Sequence, residues 1–168
     1  MNKTRYIAQA AVIAALYAVL THMQNFLLPG STTWAIQMRI SEAMTVLAFF
    51  TPAAIPGLSL GCLLFNLTYS ATLPLDFVVG TLATLLAAVA MWLTRNVKVG
   101  KLPLFGLLMP ALTNAVLVGW ELTVYIGGGF GINALYVALG ELAVVLVLGS
   151  LLYFAITKRG LNKKLLAL

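Results

Sequence analysis

The stretch LDFVVGTLATLLAAVAMWLTRNVKVGK at residues 75–101 decides the fold. Its first twenty residues carry one charge, Asp76, and its last seven carry three, Arg95, Lys98 and Lys101. An α-helix needs about 20 apolar residues to cross the hydrocarbon core of a bilayer, so 75–94 reads as a membrane span closed by a cationic loop. The same punctuation marks both ends of the chain. Lys3 and Arg5 precede the first apolar run, and Lys158, Arg159, Lys163 and Lys164 follow the last. Nine of the ten Lys and Arg residues therefore lie in three clusters, and Arg39 stands apart. Cationic loops are retained on the cytoplasmic side, which places all three clusters there.

Composition agrees. The 168 residues are 62% hydrophobic and 8% charged, whereas a soluble domain carries about 25% charged residues. Such a chain cannot cover a soluble surface and reads as an all-α integral membrane protein, one membrane domain over 1–168. In a soluble protein a net charge of +6 would point to nucleic acid. Here the cations sit in juxtamembrane loops and suit membrane lipid of anionic type, with no nucleic acid partner. Cys62 is the single cysteine, so it forms no intrachain disulfide and serves as a small buried group. The basic start followed by an apolar run imitates a signal peptide. No small-residue cleavage site is evident near Gln24 to Leu28, so this run is read as a retained first span.

Six spans follow from the apolar runs, at about 6–23, 35–50, 56–69, 75–94, 103–126 and 133–157. Pro52 and Pro56 separate the second from the third, a short turn at Ser70–Pro74 precedes the fourth, and the run Gly127–Gly128–Gly129–Phe130–Gly131 ends the fifth. The expected architecture is a six-transmembrane-helix bundle with both the N- and C-termini cytoplasmic. The second span is the weakest, being short and carrying Arg39, Ser41 and Glu42.

Ionisable groups within a bilayer are costly and mark a pathway or binding site. Asn114, Glu121 and Tyr125 share a stripe of span five, and Ser59, Cys62, Asn66 and Tyr69 share one of span three. Glu141 lies on span six beside Gly140. Glu42 follows Arg39 by three residues, so the two can meet on one helical face as a structural ion pair or as part of a site. Asp76, in the first turn of span four, suits the positive end of its own helix. His22 reads as interfacial, and Trp34, Trp120 and Tyr125 read either as interfacial aromatics or as stacking surfaces. Under the topology above, Arg39, Glu42, Asn66, Glu121 and Glu141 gather in the outer half of the bundle. One arginine against three glutamates makes that cavity acidic. It suits a ligand that is cationic or rich in N–H donors, and a guanine-like edge matches a carboxylate geometrically.

The first span has a second feature. Ala8, Ala10, Ala11, Ala14, Ala15 and Ala18 fall within roughly 160° of a helical wheel. Small residues four apart allow close helix approach, either within this bundle or against another membrane subunit, and the alanine face is broader than one crossing needs. Gly57 and Gly61 form a smaller pair suited to internal packing.

Catalytic motifs are missing. There is no G-x-x-x-x-G-K-[ST] phosphate loop, no H-E-x-x-H, and one histidine, His22. The chain reads as no enzyme, with no cofactor and no metal, and any ATP-derived energy must come from partners.

These residues are similar to those of a known family. QMRISEAMTVLAFFTPAAIPGLSLGCLLFNL at 37–67, GTLATLLAAVAM at 80–91, PALTNAVLVGWEL at 110–122 and ALGELAVVLVLG at 138–149 resemble the QueT family of queuosine-precursor transporters. These are substrate-specificity (S) components of energy-coupling-factor (ECF) transporters. AAVIAALYA at 10–18 resembles the alanine surface by which such components dock. The resemblance covers nearly the whole chain, and its middle block is the most specific part. It implies a protein of the bacterial cell membrane that binds a 7-deazaguanine precursor outside. Its partners would be a transmembrane coupling subunit and two cytoplasmic ATPases, and the S component would topple to carry its ligand inward. The loop at about 24–37 would cover the site. One of Glu121 and Glu141 would accept the ring N–H and exocyclic amine, and the other, or Glu42, would face an aminomethyl cation. Arg39 or Asn114 would donate to the ring carbonyl. Ala10, Ala11, Ala14, Ala15 and Ala18 would dock the coupling subunit. Rival readings are an S component for another vitamin such as riboflavin or thiamin, a solitary transporter driven by protons through Glu121 and Glu141, and a purely structural assembly subunit.

Overall fold

The computed structural model describes residues 2–32, 38–68 and 75–161, and regular secondary structure within them is helical. Six helical segments follow one another: α1 (Lys3–Leu27), α2 (Ile40–Phe49), α3 (Ala54–Thr68), α4 (Asp76–Thr94), α5 (Leu104–Tyr125) and α6 (Phe130–Lys158). Four of them, α1, α4, α5 and α6, are long and apolar enough to cross a membrane, while α2 and α3 are shorter. Exposed Val12, Leu16, Leu64, Leu86, Val116, Leu139 and Leu151 turn outward on α1, α3, α4, α5 and α6. A soluble monomer does not expose so continuous an apolar surface, whereas a lipid-facing one does. The chain is a multi-pass membrane protein.

Local chemistry sets the boundaries. Asn2 caps α1, its side chain accepting from the Thr4 amide at 3.1 Å, which satisfies one of the free N–H groups of the first turn. Pro52 cannot donate to a continuing ladder, and α2 stops just before it. In α5 the turn Leu104–Leu107 re-starts at Met109 with Pro110 in its first turn, where a missing N–H costs nothing. Gly127 and Gly128 take φ of +84° and +79°, a conformation that disfavours side chains, and so end α5 and turn the chain into α6. Inside α6, Val145–Gly149 is one π-helical segment.

Two expectations change here. The second span is not an α-helix over 35–50. Its described part is a 3-10 helix beginning at Ile40, which at ~2.0 Å per residue extends about 20 Å. The first helix extends past 23 to Leu27. The Ser70–Pro74 turn and residues 33–37, which include Trp34, lie outside the described residues.

Helix direction follows from contacts. A Cβ on Gly57 would lie 2.8 Å from the Ala10 carbonyl oxygen, and one on Gly61 would lie 2.8 Å from that of Ala14. The register rises together on both helices, so α1 and α3 run parallel in close contact. The Thr51 hydroxyl reaches Gln9 at 3.1 Å, and those of Ser41 and Thr21 are 2.7 Å apart, so α2 runs back against α1. Phe49, Phe50, Arg95 and Tyr153 surround one cavity. The end of α2, the α4–α5 loop and the end of α6 therefore meet near the start of α1. The basic residues of the described chain, apart from Arg39, lie at that end. All four acidic side chains lie away from it. Asp76 and Arg95 open and close α4, about 28 Å apart along its axis at ~1.5 Å per residue. The main apolar core fills the basic half and reaches the carboxylate cluster at Tyr17, with Val46, Phe49, Leu58, Met91, Leu107 and Tyr153 packed together. Ala83, Val118, Leu122 and Val137 form a smaller core between α4, α5 and α6.

Candidate functional site

Polar groups from all six helices converge away from the basic loops. Arg39 precedes α2 and is 4% exposed. Its Nη2 pairs with Asp76 Oδ2 at 3.0 Å, Nε donates to the Thr32 carbonyl at 2.9 Å, and Nη1 lies 3.8 Å from Cys62 Sγ. The guanidinium also sits 5.5 Å from the centroid of Phe65. Asn66 Nδ2 donates to the Asp76 carbonyl at 2.9 Å and approaches Cys62 Sγ at 3.4 Å. Gly80 permits this: a Cβ there would fall 2.7 Å from Asn66 Nδ2. Arg39 thus ties the entry of α2 to the ends of α3 and α4.

The three glutamates complete the cluster. Glu42 is buried and accepts from the Tyr17 hydroxyl through Oε1. Glu121 is fully buried on α5, close enough to Asp76 and Arg39 to interact electrostatically with both. Glu141, on α6, interacts in the same way with Glu42 and Arg39. Buried polar groups are ordinarily hydrogen-bonded. Here Glu42 Oε2, Asn66 Oδ1, Asp76 Oδ1, both oxygens of Glu121 and Glu141 Oε2 have no donor. Glu121 faces Asp76, a second carboxylate, and two ionised carboxylates have no proton to share. A buried carboxylate without a donor is costly, so the cluster has unmet capacity to accept N–H groups or positive charge.

The described part of the α1–α2 connection packs onto this cluster. Gln24 Nε2 donates to Ser31 Oγ at 3.1 Å and to the Met38 carbonyl, and its Oε1 accepts the Ile40 amide at 2.7 Å. The end of α1 is thereby locked to the residues flanking Arg39.

The structure brings Arg39, Glu42, Asn66, Glu121 and Glu141 together. Asn114 is buried on α5, but its Nδ2 is taken by the Pro110 carbonyl of its own helix at 3.0 Å. Trp120 and Tyr125 are 50% and 42% exposed and are not gathered with the carboxylates. Two relations read from spacing are corrected. Arg39 pairs with Asp76, not with Glu42, because it stands before the helix as its N-terminal flank and points across to α4. Asp76 belongs to the cluster and does more than complement the start of its own helix, so the cluster holds four carboxylates, not three. Sequence reasoning also missed Tyr17. Its place deep in α1, well inside the level where interfacial aromatics sit, was the available signal.

The alanine face of α1 divides. Ala10 and Ala14 are buried against Gly57 and Gly61, Ala8, Ala11 and Ala15 are exposed, and Ala18 is half-buried. His22 contacts Thr68 Oγ1 at 3.1 Å and the Ala18 carbonyl at 2.7 Å, bracing α1 against α3. No group of three or more His, Cys, Asp or Glu side chains suited to a metal occurs among the described residues.

The fold and the site together define the class: a membrane-embedded helical bundle enclosing a donor-poor carboxylate cluster. The QueT transporter family profile matches residues 7–158. The chain belongs to that family, and its members are transporters, not enzymes. A curated relative, the queuosine precursor transporter QueT of Lactococcus lactis subsp. cremoris (strain MG1363), is 34% identical over 84 residues. That match covers 50% of this chain and 47% of the relative, so it spans about half of each. No solved structure matches.

Proposed function

We propose that the chain is the substrate-binding S component of an ECF-type importer and captures a queuosine precursor, a 7-deazaguanine base, outside a bacterial cell. In this reading all six helices span or line the membrane domain and both termini are cytoplasmic. The shared position of the cationic segments supports this orientation. Energy comes from a transmembrane coupling subunit and two cytoplasmic ATPases.

The observation that carries the reading is the set of four buried carboxylates against one arginine, each with at least one oxygen lacking a donor. A 7-deazaguanine offers a ring N–H and an exocyclic amine side by side, which one carboxylate accepts in parallel. Glu121, with both oxygens free of donors, takes that role. Glu141, with Glu42 beside it, faces the aminomethyl cation of that precursor. Arg39 Nη1, whose polar contact is the weak acceptor Cys62 Sγ at 3.8 Å, donates to the ring carbonyl. Family membership and the name of the Lactococcus relative support the substrate class. The exposed edge Ala11–Ala15, with Ala18, is the docking strip for the coupling subunit, and Ala10 and Ala14 support it from behind.

A thermal-shift panel on purified protein tests the substrate. The aminomethyl and cyano 7-deazaguanines are expected to raise the unfolding temperature while riboflavin and thiamin do not. Stabilisation by one of those vitamins alone overturns the substrate assignment. Uptake by the chain expressed alone, dependent on pH, would favour proton coupling and overturn the ECF mechanism.

A further inference from the structure

The opposite end of the bundle carries a second feature that ligand capture does not use. The chain has four acidic side chains, and Glu42, Asp76, Glu121 and Glu141 are all buried in the cluster above. No side-chain carboxylate remains to neutralise Lys98, Lys101 and Lys158, which line one cavity of about 790 Å³ between the α4–α5 loop and the end of α6. The matching anion must come from outside these helices.

The cavity is built, not merely charged. Val99 and Leu102 bond to each other's backbone at 2.9 and 3.4 Å, closing a tight turn in which Gly100 takes φ +63°. This turn fixes the backbone carrying Lys98 and Lys101. Arg95 is anchored next to it, donating to the Trp92 carbonyl at 2.6 Å and lying 3.7 Å over the Trp92 ring. The remaining wall is apolar. Leu151 and Phe154 line the same cavity, and Leu151 is 64% exposed with Val147, one turn deeper, 58% exposed. Lys158 lies seven residues beyond Leu151, about 10 Å along the helix at ~1.5 Å per residue. Cations at the membrane surface therefore lead directly onto an exposed apolar stripe of α6, Leu151 and then Val147, that runs toward the membrane interior.

We propose that this cleft binds an anionic phospholipid, with the phosphate held by Lys98, Lys101 and Lys158 and an acyl chain laid along Leu151 and Val147. Basic pockets between membrane helices bind such headgroups. A free phosphate would use the lysines but leave the apolar wall without purpose, which favours the lipid. The site joins the α4–α5 turn to the end of α6.

The test is intact-complex mass spectrometry of the full chain in a neutral detergent, titrated with phosphatidylglycerol, with phosphatidylcholine of the same acyl chains, or with inorganic phosphate. The wild type is expected to retain phosphatidylglycerol in preference to phosphatidylcholine. Removing one lysine weakens retention roughly fivefold, and K98Q/K101Q/K158Q together weaken it on the order of 100-fold. Lys3→Gln with Arg5→Gln, which lowers net charge by the same kind of change at the same end of the bundle but outside the cavity lining, is expected to leave retention unchanged. Lys101→Gln alone, on the exposed turn, serves if the triple variant does not fold, and its fivefold loss supports the site. Equal retention of the two lipids overturns the proposal. So does retention unchanged in the cleft variants, loss matched by the Lys3/Arg5 control, or occupancy by inorganic phosphate that phosphatidylglycerol does not displace.

Discussion

Arg39→Leu is the substitution whose consequence the structure specifies most fully. It removes the one cation of the buried cluster and strands Asp76, whose Oδ2 loses its 3.0 Å partner while Oδ1 already lacks a donor. It also leaves the Thr32 carbonyl without the Nε donor at 2.9 Å. Breaking a buried ion pair by deleting one partner costs about 3–5 kcal/mol, because the remaining charge is uncompensated. For a chain of this size ~1 kcal/mol moves the unfolding temperature by about 2–4 °C, so a fall of roughly 6–20 °C is expected. The double variant Arg39→Leu/Asp76→Leu removes both charges and is expected to recover most of that loss, since a buried pair replaced by apolar residues is often neutral. The assay is thermal unfolding of the two single variants and the double variant in detergent, read as a double-mutant cycle. Losses that simply add, with no recovery in the double variant, would refute the pairing of Arg39 with Asp76.

Tyr17→Phe leaves Glu42 Oε1 without its donor, and a hydrogen bond to a charged group is worth ~1.5–3 kcal/mol. Thermal unfolding should show that loss, and an unchanged midpoint would remove Tyr17 from the cluster. Gly61→Val forces a side chain against the Ala14 carbonyl, 2.8 Å from the nearest possible Cβ, and overpacking of this kind costs ~1–3 kcal/mol or more. It should lower stability of the isolated chain, and tolerance of valine would contradict the close α1–α3 contact. Ala11→Leu with Ala15→Leu should abolish co-purification with the coupling subunit while leaving ligand binding intact. Ala14→Leu should instead destabilise the chain itself, because Ala14 is buried. If Ala11→Leu with Ala15→Leu leaves the complex assembled, the docking strip is misplaced.

The long helices were legible because nothing interrupts them. The run 75–94 became α4 with its end at Thr94, where the cations begin. Glu42, Glu121, Glu141, Asn66 and Arg39 were legible as a site because charge within an apolar span has no innocent surface position. Their pairing was not. Arg39 and Asp76 are 37 positions apart, and spacing along one helix reports only neighbours three or four residues away. Asp76 had an adequate local explanation at the start of α4, which hid its tertiary one. The 3-10 form of α2 was also hidden, since the apolar run Met44–Phe50 carries no periodicity that separates a tight helix from an α-helix. Trp120 follows the same logic in reverse. It adjoins Glu121 in sequence, yet one residue is a 100° rotation on a helix, and its ring faces outward.

The central claim is that the donor-poor carboxylates hold the ligand. It is tested most directly by calorimetric titration of the purified chain and its Glu121→Gln and Glu141→Gln variants with 7-aminomethyl-7-deazaguanine. A charged hydrogen bond is worth ~1.5–3 kcal/mol, so each variant should bind at least about tenfold more weakly, since ~1.4 kcal/mol is a factor of ten. Neither variant should unfold more easily without ligand, because both Glu121 oxygens and Glu141 Oε2 have no hydrogen bond to lose. Wild-type affinity in both variants would contradict the account.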